Sequence, residues 1–175
     1  DTNMINLTLI ISILIVLLVI LTIYLGIKIV PQSKVFVIER FGRYSRTLNA
    51  GLSIIVPYLD SVAHRVDILE RQLTSQKISV ITKDNVEVEL ETSVFYRVLD
   101  AAKSVYRISN IDQALTTETA AVVRSAAGKL ELDELQSSRD AMNEEIAINL
   151  GKAAEVWGIE ITRTEITDVI IDEET

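Results

Sequence analysis

The chain has 175 residues, about half of them apolar, a net charge of −8 and no cysteine. Such a length supports one domain or two small lobes with a shared core. Zero cysteine excludes disulfides, thiolate metal sites and a cysteine nucleophile, and no nucleic-acid partner is expected.

The first predicted element is a membrane anchor. From Met4 to Ile27 there is no charged side chain, and Leu7–Ile27 alone counts 21 residues. At about 1.5 Å per residue this spans roughly the 30 Å hydrocarbon core of a bilayer. A lone segment in lipid satisfies its backbone N–H and C=O groups only as a helix. A secretory signal would place Lys or Arg ahead of a shorter apolar core and finish in a small-x-small cleavage site. Here only Asp1 and the chain terminus precede the core, and Tyr24-Leu25-Gly26-Ile27 is a poor site. A buried soluble helix would keep a polar face, yet only Ser12 and Thr22 interrupt the middle. Residues 1–29 are therefore expected to be a single transmembrane anchor, and the start at Asp1 suggests a processed or trimmed product.

Orientation follows from the basic residues flanking the anchor. None precedes it, whereas Lys28, Lys34, Arg40, Arg43 and Arg46 follow it. The soluble part, residues 30–175, is expected to face the cytoplasm from a single-pass position in the cell membrane. Residues 28–71 carry 7 basic and 4 acidic side chains, and residues 72–175 carry 10 and 20. A basic collar attracts anionic headgroups and an acidic far end is repelled by them; chance clustering in an ordinary acidic domain gives the same counts.

Strands are predicted next. Lys34–Phe41 is β-branched and stops at Gly42; Ser53–Pro57 follows the turn at Asn49-Ala50-Gly51. Val62–Leu69 and Lys77–Thr82 are further candidates. The clearest alternation puts Val86, Val88, Leu90, Val94, Tyr96 and Val98 on one face and Glu87, Glu89 and Glu91 on the other. This predicts a half-buried antiparallel strand entered through the turn Lys83-Asp84-Asn85.

Helices follow. Asp100 is placed to cap Ala101–Tyr106, and Asn110 to cap a helix ending near Gly128 with Ile111, Leu115, Val122 and Ala126 as its apolar stripe. A third helix, about Ser138–Trp157, carries Met142, Ile146, Leu150, Ala153 and Trp157 on one face; Asp140, Glu144 and Glu145 fall on its solvated face. A last β-prone run covers Ile159–Ile171. Strands, then helices, then a strand predict an α+β fold, an antiparallel sheet with helices covering one side.

The apolar run Leu52–Leu59 has no charge before Asp60. Two readings stand. Leu52, Ile54, Ile55, Val56 and Tyr58 dip into the adjacent leaflet with Tyr58 at headgroup level, or the run is an ordinary buried strand that ends at Pro57. Glu87, Glu89 and Glu91, with Arg97, Lys77, Lys83 and Arg107 nearby in sequence, are oligomer-interface candidates or merely solvated side chains.

Catalysis has little support. His64 is the only histidine, and no Gly-x-Ser-x-Gly elbow or phosphate-binding glycine loop is present. Alternate glutamates on one strand lie roughly 6 to 7 Å apart, too far to chelate one ion without a second strand. No cofactor or metal is expected.

The order of Val30-Pro31-Gln32-Ser33, Val37-Ile38-Glu39-Arg40-Phe41-Gly42-Arg43, Gly51-Leu52, Pro57-Tyr58-Leu59-Asp60 and Thr82-Lys83-Asp84-Asn85-Val86 after the anchor resembles the stomatin/prohibitin (SPFH, or band 7) family. Tyr96-Arg97-Val98, Asp100, Ala102, Tyr106, Arg124 with Gly128, Leu132-Asp133-Glu134-Leu135, Arg139 and Trp157-Gly158-Ile159 agree with a bacterial or archaeal stomatin-like member. Ala50 stands where the family usually has Pro, which leaves that turn less rigid. The family's long C-terminal coiled-coil helix is expected beyond Thr175. The resemblance implies a non-enzymatic scaffold: a homo-oligomeric ring or cage that binds membrane lipids, organises a microdomain and modulates a partner membrane protein such as a protease. The competing class is a membrane-bound hydrolase with an unrecognised active site.

Overall fold

The computed structural model describes residues 1–171; the last four residues of the domain expected over 30–175 lie outside the described residues. The chain divides into two compact units between Asp67 and Ile68.

The first unit opens with helix α1 (Thr2–Gly26), which runs directly into strand β1 (Ile27–Val30). Strands β2 (Lys34–Arg40), β3 (Arg43–Leu48), β4 (Gly51–Ile54) and β5 (Asp60–Asp67) follow. All pairings are antiparallel: β1 with β4, and β2 between β3 and β5. Val30, Phe36, Ile38, Leu48 and Ile55 form the core of this unit, with Val62 packed against it.

This unit differs from the sequence expectation in several places, among them β5, which starts and ends two residues earlier than Val62–Leu69. The helix stops at Gly26, and Ile27–Val30 is a strand, because its β-branched residues find a ladder partner in β4. The strand expected over Ser53–Pro57 lies at Gly51–Ile54, and the chain turns at Pro57, which has no N–H to give to a ladder. Strand β3 carries no apolar alternation to predict it; it is held by its hairpin pairing to β2.

In the second unit, β6 (Arg71–Gln72), β7 (Gln76–Ile81) and β8 (Glu87–Val98) precede helices α2 (Ala101–Tyr106), α3 (Ile111–Gly128), α4 (Leu132–Ser137) and α5 (Arg139–Glu155) and the final strand β9 (Ile159–Ile171). Strand β8 is central, with β6 and β7 along one edge and β9 along the other, all antiparallel. Its alternation works as expected: Val88, Leu90, Val94, Tyr96 and Val98 are buried, and helices α3 and α5 close over them. The fold is α+β, an antiparallel sheet with helices on one face.

Helices α2 and α3 start at their caps. The Asp100 carboxylate accepts from the Lys103 N–H at 3.2 Å, and the Asn110 side chain accepts from the Gln113 N–H at 3.2 Å. The stripe of α3 differs in detail from the prediction, since Val123 and not Val122 is fully buried. Buried Thr119 explains the shift: its hydroxyl donates to Leu115 O at 2.6 Å, so a polar residue sits on the inner face without an unpaired group. Helix α5 ends at Glu155, short of Trp157; Ala154 is buried on it rather than Ala153, and Trp157 in the following turn packs only half-buried against Leu115, Leu150 and their neighbours.

Tyr96 and Gly158 fix the helices to the sheet. The Tyr96 hydroxyl donates to Asp112 at 2.6 Å, and burial followed by this bond pushes its pKa up to about 12. Gly158 has φ +70°, accepts from the N–H groups of Leu99 and Asp100 at 2.8 and 3.0 Å, and would put a Cβ 2.5 Å from Asp100 O. Gly158→Ala is therefore expected to cost more than the ~1–2 kcal/mol of left-handed strain alone. Ile146→Ala, in the dry core, should cost about 2–5 kcal/mol, whereas half-buried Trp157→Ala should fall short of the ~3–5 kcal/mol of a fully buried Trp. Urea titration of each variant, followed by circular dichroism, checks this order.

Candidate functional site

Helix α1 is 25 residues long with a mean hydropathy of 3.1 over its most apolar window, and none of that window is buried within the protein. At about 1.5 Å per residue it exceeds the roughly 30 Å hydrocarbon thickness. Three of its hydroxyls bond their own helix: Thr8, Ser12 and Thr22 donate to Met4 O, Thr8 O and Leu18 O at 2.8 to 2.9 Å. A polar side chain that bonds its own helix costs little in lipid.

The end of α1 is locked to the β4–β5 connection. Ile55 N donates to Gly26 O at 2.7 Å, and a Cβ on residue 26 would meet Ile55 O at 2.7 Å, so only glycine permits this approach. The register then sets Ile27 opposite Ile54 and Ile29 opposite Leu52. These cross-strand pairs share one face, and Ile29, Leu52 and Ile54 are 75%, 71% and 69% exposed, whereas Val30 on the other face is in the core. Val56, Tyr58 and Leu59 continue the exposed apolar surface through the following turn.

Of the five residues expected at the membrane, Leu52, Ile54, Val56 and Tyr58 lie on this surface and Ile55 does not. Ile55 is 5% exposed and packs with Val30, Phe36 and Leu48. Strand alternation turns it inward, opposite to Ile54. The reading of the run as an ordinary buried strand does not hold for its neighbours. Ile27 and Ile29 belong to the same surface and escaped sequence reading because they were counted with the helix and its tail; the β-branched Ile27-Lys28-Ile29-Val30 was the available signal.

The turn is held by one ion pair. Asp60, with its side chain 1% exposed, accepts from Arg40 Nε at 2.7 Å and Arg40 Nη2 at 3.2 Å, and from the Val56 N–H at 3.1 Å. These bonds, Arg40's first, hold its carboxyl below the usual carboxylate range.

The acidic face of β8 is in the second unit. Glu89 pairs with Lys77 at 3.9 Å and Arg97 with Glu160 at 2.5 Å, all four side chains at least 39% exposed. Such pairs contribute little to stability. Glu87 and Glu91 enter no ion pair among the described residues. His64 lies in β5 opposite Val37. Among the described residues no group of three His, Cys, Asp or Glu side chains is placed to hold a metal ion.

The pattern of the SPFH domain / Band 7 family matches residues 28–175. The chain belongs to that family. This SPFH chain is 33% identical over 143 residues to stomatin-like protein 2, mitochondrial, of Mus musculus, covering 82% of the chain and 40% of that protein. It is 37% identical over 143 residues to an uncharacterized protein of Schizosaccharomyces pombe, again covering 82% and 40%. An uncharacterized protein of Methanothermobacter thermautotrophicus is 33% identical over 157 residues, 90% of the chain and 49% of that protein. The chain thus spans two fifths to half the length of these curated relatives.

The Asp60 geometry gives a pH dependence of known sign. A carboxyl with a folded pKa below the unfolded value of about 3.9 contributes stability that is present above that value and lost as pH falls through the folded pKa. Asp60→Asn should therefore lower the urea midpoint at neutral pH, and the gap to the parent should close below about pH 4. A gap independent of pH would show that the pair stabilises by shape alone.

Proposed function

We propose that this SPFH chain is the membrane-proximal part of an oligomeric scaffold in a cell membrane. The observation that supports this reading best is that the 25-residue apolar helix α1 leads directly into the paired strands β1 and β4, on which Ile29, Leu52 and Ile54 are exposed on one face. Exposed aliphatics at this density cost free energy in water and little at a bilayer boundary. Helix α1 fixes every copy in one orientation. Neighbours then meet through heterologous side-to-side surfaces, which close into a ring when the rotation allows.

In this reading the basic residues after α1 hold the folded units on the cytoplasmic side. The C-terminal helix expected beyond Thr175 shares the ring contacts with the SPFH units, and the acidic face of β8 sets register against a basic neighbour. Such a ring encloses a patch of membrane and thereby acts on a partner membrane protein, a membrane protease being the expected class. Relatives named stomatin-like support a membrane-scaffold role.

Two measurements test this. Protease added outside intact cells should leave the folded units whole, and their digestion would overturn the orientation. Particles of the full-length protein in mild detergent should be large and uniform by electron microscopy, whereas the 175-residue form should assemble weakly. Changing Glu87, Glu89 and Glu91 to Lys in the full-length protein should loosen the ring; intact rings from that triple change would remove this face from the interface.

A further inference from the structure

Phe41 is 79% exposed, more than any other large apolar side chain among the described residues. It sits with Gly42 at the tip of the β2–β3 hairpin, and both central residues have positive φ, +53° and +78°. A two-residue hairpin turn of this hand favours Asn-Gly or Asp-Gly, and a bulky aromatic in the first position is an outlier. The turn would be more comfortable with Asn, so neither folding nor packing accounts for the ring. Exposed Arg43 follows at once and enters no ion pair among the described residues. Arg46, also exposed, reaches across to Ile54 O in strand β4.

The tip is tied to the end of the helix through consecutive contacts. Gly26 O accepts from Ile55 N, Val56 N donates to Asp60, and Asp60 accepts from Nε and Nη2 of Arg40, which immediately precedes Phe41. The Arg40–Asp60 pair therefore joins the hairpin tip to the apolar turn at Val56–Leu59. Both belong to the unit that carries α1.

We propose that the Phe41-Gly42-Arg43 tip is a second membrane contact, in which the Phe41 ring enters the headgroup boundary and Arg43 and Arg46 bind the phosphates of anionic phospholipids. The inference rests on the proposed seating of the β1–β4 ribbon at the bilayer. The occupant is an anionic bilayer rather than a protein for two reasons. Helix α1 tethers the unit to lipid, and an aromatic ring beside exposed arginines matches a surface that is apolar within and negatively charged at its face. Arg40 is a positioning residue here, since its guanidinium is spent on Asp60.

The test uses the full chain reconstituted in vesicles. Because the chain has no cysteine, nitroxide labels can be placed singly at Phe41→Cys, Ile54→Cys and, as a solvent control, Glu118→Cys. Accessibility to oxygen against a water-soluble nickel chelate reports lipid immersion. The label at 41 should be immersed in vesicles of phosphatidylcholine with phosphatidylglycerol and several-fold less so in phosphatidylcholine alone. Arg43→Gln should reduce immersion on the order of fivefold, as expected for one basic charge near an anionic surface. Separately, Phe41→Asn should melt no earlier than the parent, which a merely structural role for the ring would not allow. A label at 41 in water while the label at 54 is in lipid would overturn this inference and leave the ribbon's seating intact. Both labels in water would overturn the two together. Equal immersion at 41 in the two lipid mixtures would overturn the anionic-headgroup assignment.

Discussion

A helix must hand its last carbonyls to partners, and the first unit is organised around how α1 does so. The Gly26 carbonyl is taken by the Ile55 N–H, and the Ile27 N–H turns back to Tyr24 O, so two of the helix's last carbonyls are satisfied where the strand begins. Absence of a side chain at residue 26 allows the approach. Once residue 55 is fixed there, β4 must lie beside β1, and the apolar pairs Ile27–Ile54 and Ile29–Leu52 follow from the register. The exposed apolar surface is thus a consequence of the way the helix ends.

The second unit solves a different problem, that of pairing a 12-residue strand with a 13-residue one. Register shifts leave Thr162 and Thr167 of β9 without opposite partners in β8. Their hydroxyls donate to Phe95 O at 3.0 Å and Glu91 O at 3.3 Å, replacing ladder bonds that a bulge removes. Threonine is at home on a strand and carries the donor the bulge lacks. Arg163 then stacks 4.1 Å over the Phe95 ring on the face that the helices leave open.

Much of this was legible beforehand. The α+β order, the β8 alternation and both helix caps follow from periodicity and capping chemistry, which act within a few residues. What escaped depends on distant partners. Ile27–Val30 extends a hydrophobic run in sequence, and only β4, more than 20 residues on, makes it a strand. Val123 replaces Val122 on the inner face of α3 because Thr119 buries its hydroxyl against its own helix, which polarity counting treats as solvent-facing. Ile55 looked equivalent to Ile54 until strand alternation separated them. Phe41 carried a signal, an aromatic where a turn favours Asn, that hydrophobic-run reasoning passes over.

Strand β9 is the outer strand of its sheet among the described residues. An open strand edge invites sheet-to-sheet pairing between molecules. The two bulges break the flat edge that such pairing needs. Asn143 of α5 takes the Ile166 N–H at 3.0 Å and the Thr164 hydroxyl at 2.6 Å, so part of the strand's hydrogen bonding is spent on the helix. Arg163 and Glu165, 3.4 Å apart, add charge along the same stretch. The irregularities of β9 thereby work against edge-to-edge pairing of its sheet with that of another copy.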